Sequence, residues 1–189
     1  MSSHHIVREK QEPALLILGL DNFSDEMLGQ LLEWSPTVIV TPPIAEILDS
    51  FGIKIDWVLT NDPGTRLQSD MKLLPLCNDT EMAAGINCLV AQGYSAVNII
   101  TDDLELNDYL LYIGKINIVI YYQNQKIYAI SSGFSKWKPA GEIIRAISDA
   151  QGLYTEGLKL TDDKRFVTTN DGFFSFKFEQ SFLFIAEEI

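Results

Sequence analysis

Histidine is nearly missing from this chain of 189 residues: there are two, His4 and His5, both in the polar opening MSSHHIVREKQEP. That opening reads as a flexible tail over residues 1–12, so histidine bases and histidine metal ligands are excluded from the folded part. Positive charge is scarce too, with 14 Lys and Arg against 26 Asp and Glu and a formal net charge of −12. Phosphate contacts to DNA or RNA need a basic surface, so a nucleic-acid partner is excluded. A nucleotide is not, because its phosphates can be reached through a bound metal ion. No apolar run approaches the roughly 20 residues of a membrane helix, and the opening lacks the apolar centre of a secretory signal. A cytoplasmic chain with no membrane contact is expected. Cysteine is limited to Cys77 and Cys88, eleven residues apart; they read as reduced thiols of a cytosolic protein, a disulfide being the other reading. Gly-rich phosphate loops are missing as well: neither a Walker pattern nor G-x-G-x-x-G occurs.

What is present is enough apolar material for a proper core, 47% of the chain with 11% aromatic. ALLILGL (14–20), TVIVT (37–41), IDWVLT (55–60) and AVNIIT (96–101) are apolar runs of strand length, of the kind buried on both faces. LLPL (73–76) is a weaker strand candidate. Between them, SDEMLGQLLEW (24–34) opens with Ser24 as an N-cap and acids in its first turn. IAEILDSF (44–51) and TEMAAGINCLVAQGY (80–94) also have helical spacing, the latter stopping at Gly93. Alternating strands and helices predict a parallel sheet. After Gly114 the texture changes. INIVIYYQNQKIYAISS reads as two strands joined across Gln123–Gln125, and RFVTT, FFSFKFEQ and FLFIAEE have antiparallel β composition. GEIIRAISDAQG is a helix by propensity or a strand by its isoleucines. Trp137, in SKWKP, reads as a half-exposed loop or interface residue.

Three acidic clusters follow predicted strands: Asn61-Asp62, Asn78-Asp79-Thr80-Glu81, and Asp102-Asp103 with Asp108 beyond. In a parallel sheet those loops share one edge, where carboxylates can converge on Mg²⁺ together with substrate phosphates. The other reading is that Asp and Asn cap helices and close turns, with Asn78 or Asp79 capping the helix near Thr80.

The order of segments over residues 14–187 resembles the thiamine pyrophosphokinases. TEGLKL (155–160) resembles that family's T-x-G-L-K-[YW] signature, and VTTNDG (167–172) its T-S-N segment. NDTEMAAGINCLVAQGYSAVNII resembles the D-x-T-D helix, glycine and following strand, with Thr80 kept, Glu81 for the second acid and Asn78 for the first. DLELND resembles G-G-R-x-D-H: Asp108 is kept, Leu106 stands for the arginine and Tyr109 for the histidine. NDPGT falls where the family has G-D-F-D-S, so Asp62 matches the first acid and Gly64 replaces the second; Pro42 stands in place of an earlier acid.

The resemblance implies a Rossmann-like α/β catalytic-type domain over 13–116 and a small antiparallel β-sandwich of thiamine-binding type over 117–189. It also makes GEIIRAIS a strand. It implies transfer of pyrophosphate from ATP to thiamine with Mg²⁺ in a homodimer. Asp62, Thr80, Glu81 and Asp108 would be catalytic, with Asp62, Glu81 and Asp108 as metal ligands. Thr169 and Asn170 would bind thiamine, a polar β-turn being the plainer reading of that pair. The replaced acids and arginine imply an alternative: a non-catalytic relative that binds thiamine, a nucleotide or another small ligand.

Overall fold

The computed structural model describes residues 12–65, 68–162 and 164–189, so the expected tail with His4 and His5 lies outside the described residues up to position 11. The chain divides into two compact units, Met1–Ile118 and Val119–Ile189.

The first unit holds five parallel strands, β1 (Ala14–Ile17), β2 (Val38–Val40), β3 (Trp57–Leu59), β4 (Lys72–Leu74) and β5 (Ala96–Ile100), in the order β5-β1-β2-β3-β4. β1, β2 and β3 are buried along their whole length, which is why they are uniformly apolar rather than alternating. Helices α1 (Asp25–Leu32), α2 (Pro42–Ser50), α3 (Glu81–Ala91) and the short α4 (Leu106–Tyr109) connect or follow them. α1 starts where Ser24 accepts a hydrogen bond from the Met27 amide, as a capping residue should. α3 packs on β1 through Gly85. A Cβ there would lie 3.0 Å from both Leu16 methyls, so glycine is what lets helix and sheet approach.

The sheet order reverses once. β2, β3 and β4 lie on one side of β1, and the chain then returns so that β5 lies on the other. The crevice at the carboxyl ends of β1 and β5 is thus the place where open α/β sheets bind ligands.

The second unit is antiparallel. One sheet joins β6 (Asn117–Tyr122), β7 (Gln125–Ile130), β14 (Leu183–Glu188), β9 (Ile143–Ala146), β12 (Arg165–Thr168) and β11 (Leu158–Asp162), in that order. The other joins β10 (Tyr154–Glu156), β13 (Gly172–Lys177) and β8 (Phe134–Lys138). Gln123 and Asn124 both have positive φ and form the two-residue hairpin turn between β6 and β7. Ile144, Phe166 and Ile185 of one sheet meet Phe174 and Phe176 of the other in a common core, with Phe166 and Phe176 edge to face at 5.6 Å. The fold is an α/β parallel sheet followed by a β-sandwich, as the sequence implied.

GEIIRAIS contributes strand β9, as the resemblance implied, with Ile144 fully buried between the sheets. One local reading changes. Trp137 sits in strand β8, not in a loop. Lys136 and Lys138 share the inward face with Phe134, and both reach the buried Glu187 carboxylate, at 2.6 Å and 3.0 Å, while Trp137 is exposed on the other face.

Candidate functional site

Three of the five parallel strands end in a buried threonine: Thr41 after β2, Thr60 after β3 and Thr101 after β5. The Thr60 hydroxyl accepts the Asp62 amide at 3.0 Å, and the Asp62 carboxylate accepts the Gly64 amide at 2.8 Å. Asp62 is thereby held in a turn of its own loop. The Thr101 hydroxyl accepts the Asp103 amide and donates to the Asp103 carbonyl, fixing the loop after β5 in the same manner.

The loop after β1 is fastened to the loop after β5 by one carboxylate. Asp102 accepts the amides of Asp21 and Asn22 at 3.0 and 3.1 Å, with the Asn22 side-chain amide at 3.4 Å. This clamp needs Gly19. A Cβ at that position would stand 2.1 Å from the Asp102 Oδ2 and 3.0 Å from the Asp102 amide nitrogen.

Below the clamp lies a cavity of about 300 Å³ at the β1/β5 reversal of the sheet. Leu18 lines it from the end of β1, and Thr80, Glu81 and Met82 from the start of α3. The loop after β5 contributes Thr101, Asp102, Asp103 and Glu105; Asp108 and Tyr109 come from α4. Among the described residues its charged lining is thus five carboxylates and no basic group. Thr80 caps α3, its hydroxyl accepting the Ala83 amide at 3.2 Å, and Glu81 opens the first turn, where the helix dipole favours an acid. Tyr109 is buried, and burial, then Asp108 and Asp103, push its phenol up to about 12. Among the described residues that hydroxyl has no hydrogen-bond partner.

Three of the four residues expected to be catalytic therefore share one cavity: Thr80, Glu81 and Asp108. The fourth, Asp62, does not line it. Among the described residues, no three Asp, Glu, Cys or His side chains are grouped as a metal site requires. Sequence reasoning does not single out Leu18, Glu105 or Tyr109 as site residues. For Asp102 and Asp103 a signal exists, an acidic pair directly after a predicted strand.

In the second unit, Thr169 and Asn170 follow β12 at the surface. The Thr169 amide and hydroxyl both donate to the Gly157 carbonyl, at 3.0 and 3.3 Å, and the Asn170 side-chain amide donates to the Thr169 hydroxyl at 3.2 Å. Leu158 pairs with Thr168 across β11 and β12, so TEGLKL and VTTNDG are neighbours in space. Gly157 makes the step from β10 to β11 at φ +71°, and a Cβ there would lie 2.7 Å from the Phe173 carbonyl oxygen. Leu160, where the resemblance implies an aromatic, is 60% exposed.

An acid-walled crevice at the reversal of a parallel sheet, followed by a two-sheet antiparallel unit, defines an α/β ligand-site architecture with an appended sandwich. Solved structures of several thiamine pyrophosphokinases share it. The chain has the fold of thiamine pyrophosphokinase from Bacillus subtilis, with a TM-score of 0.67 at 14% identity, over 93% of this chain and 98% of that one. A probable thiamine pyrophosphokinase from Staphylococcus saprophyticus aligns with a TM-score of 0.61 at 20% identity, over 94% and 99% of the two chains. Thiamin pyrophosphokinase from Candida albicans aligns with a TM-score of 0.66 at 9% identity, over 94% and 90%. No family model and no curated protein matches the sequence. At these identities the likeness is one of fold.

Proposed function

We propose that this chain is a thiamine pyrophosphokinase-like protein that binds a small ligand in the cytoplasm and does not transfer pyrophosphate. The observation that carries this reading is the lining of the cavity: five carboxylates, no lysine, arginine or histidine, and no group of three metal donors among the described residues. ATP brings several negative charges to the protein. Phosphoryl chemistry depends on cations, whether metal, lysine or arginine, to hold them. The residues present do not fit magnesium–ATP: Glu81 and Asp108 line the cavity, while Asp62 is bound into a turn by Thr60 and Gly64.

The ligand favoured in the second unit is thiamine itself, at the Thr169–Asn170 corner. Support comes from the junction with TEGLKL, which leaves the Asn170 carboxamide oxygen free at the surface while Gly157 and Thr169 fix the backbone beneath it. A homodimer belongs to the same proposal, and equilibrium sedimentation as a monomer would count against it. Among the described residues no helix is long and apolar enough to cross a membrane.

A coupled assay for AMP from ATP, thiamine and Mg²⁺ tests the proposal. Turnover above a no-enzyme blank refutes it. Calorimetric binding of thiamine that is lost in Thr169→Ala/Asn170→Ala, with no turnover, is the expected result.

A further inference from the structure

We infer that the cavity at the β1/β5 reversal is a binding site for a linear polyamine. The inference rests on the proposed function, in which this cavity does not hold magnesium–ATP. Of its five carboxylates, Asp102 is engaged by the amides of Asp21 and Asn22. The side chains of Glu81, Asp103, Glu105 and Asp108 have no partner among the described residues. They come from three segments of the chain, and among the described residues no three of them are grouped as a metal site requires. A compact divalent ion needs several oxygens at one centre. Charges spaced along a chain of methylenes match a distributed set instead.

The second observation is Tyr109. It is only 3% exposed, it lines the cavity, and its hydroxyl has no hydrogen-bond partner among the described residues. An ammonium group carries only donors, so a free phenolic oxygen is an acceptor suited to it. The ring offers a cation a π face as well. Leu18 and Met82 supply apolar lining for the methylene segments between ammonium groups. A cavity of about 300 Å³ is at the small end of ligand sites, which suits a narrow, unbranched molecule better than a nucleotide.

The test is calorimetric titration of the full chain at low ionic strength with spermidine, putrescine, MgCl₂ and ATP as separate probes. Spermidine is expected to bind at one site per chain, and putrescine more weakly. Glu81→Gln/Asp108→Asn should weaken spermidine at least about tenfold through loss of two nearby charges. Tyr109→Phe, which keeps the ring, should weaken it a few-fold. Glu26→Gln/Glu33→Gln, on the exposed side of α1, should leave it unchanged. Absence of spermidine heat, equal weakening in the α1 variant, or displacement of spermidine by Mg²⁺ alone overturns the inference. Turnover in the AMP assay would refute the proposed function while leaving the spermidine titration to be read separately; silence in both experiments removes only the polyamine.

Discussion

Gly19→Ala is the substitution whose cost the structure lets one work out most fully. The position has no left-handed backbone requirement, so the effect is purely one of space. The new methyl would meet Asp102 Oδ2 at 2.1 Å, Asp102 Cγ at 2.8 Å and the Asp102 amide nitrogen at 3.0 Å. The carboxylate end can swing away, but only by giving up the Asp21 and Asn22 amides that it holds at 3.0 and 3.1 Å. Two hydrogen bonds to an ionised acceptor at a solvent-facing edge contribute about 1 kcal/mol each, and the backbone overlap adds roughly another 1 kcal/mol. The expected loss is about 2–3 kcal/mol, or roughly 5–10 °C in Tm for a unit of this size. Because the Asp102 side chain is the main obstacle, Asp102→Ala should lose about 2 kcal/mol on its own and leave the glycine substitution only the roughly 1 kcal/mol of its backbone overlap. Urea unfolding followed through Trp57, buried in β3, in a Trp34→Phe/Trp137→Phe background isolates the first unit. A loss under about 0.5 kcal/mol in Gly19→Ala, or additive losses in the double variant, would refute the clamp.

Gly157→Ala, in the second unit, should cost about 2–3 kcal/mol, since it combines φ +71° with a 2.7 Å approach to the Phe173 oxygen. Gly93→Ala, in the first unit at φ +77° with open space around it, should cost only about 1 kcal/mol in the same denaturation assay. Burial pushes the Glu187 carboxyl up, but hydrogen bonds from Lys136, Tyr128 and Lys138 outweigh it and hold the group below its ordinary value of 4.5. A depressed carboxyl stabilises the fold above its unfolded pKa, and that contribution disappears as the pH falls through the lower folded one. Glu187→Gln should therefore lose about 3 kcal/mol at pH 7 by leaving Lys136 and Lys138 without their buried carboxylate. It should also flatten the acid limb of a Tm-against-pH curve; an unchanged acid limb would show that Glu187 is not the group responsible.

The strands of the parallel sheet are legible in the sequence because burial on both faces leaves no room for polar residues: Leu15, Leu16, Ile17 and Val58 are almost fully enclosed. Their ends are less so. ALLILGL stops being strand at Ile17 because Gly19 has to pass beneath Asp102, a contact between residues far apart in the chain. α4 leaves no trace in the pattern because LNDY is four residues long and carries no apolar period. β10 and β11 are short and mostly exposed, so neither alternation nor a buried run marks them. In β8 the informative residues are lysines whose inward direction is set by Glu187, which arrives only with the last strand. Of the candidate site, Thr80, Glu81 and Asp108 can be placed by the family's motif order. Tyr109 can be read only as a replaced histidine, since its burial is set by tertiary packing.

The three threonines that end β2, β3 and β5 explain how this sheet edge can be rigid with no metal donor group among its described residues. VIVT, WVLT and NIIT close their strands alike in sequence, yet the next two residues decide the use of each hydroxyl. After Thr60 and Thr101 a free amide lies two residues on, and both hydroxyls take it, at 3.0 and 3.2 Å. After Thr41 come Pro42 and Pro43, which have no N–H for the same turn, and Thr41 heads α2 with no side-chain cap. The loop after β2 is therefore fixed by proline φ angles rather than by a threonine turn. Asp62 is fixed by Thr60 and Gly64, and Asp102 by the amides of Asp21 and Asn22. The loops after β1, β3 and β5 are thus held by hydrogen bonds within this edge. Beside Asp102, the cavity is lined by four acids whose side chains have no hydrogen bond among the described residues, Glu81, Asp103, Glu105 and Asp108, so a ligand there need not supply the ordering of the edge.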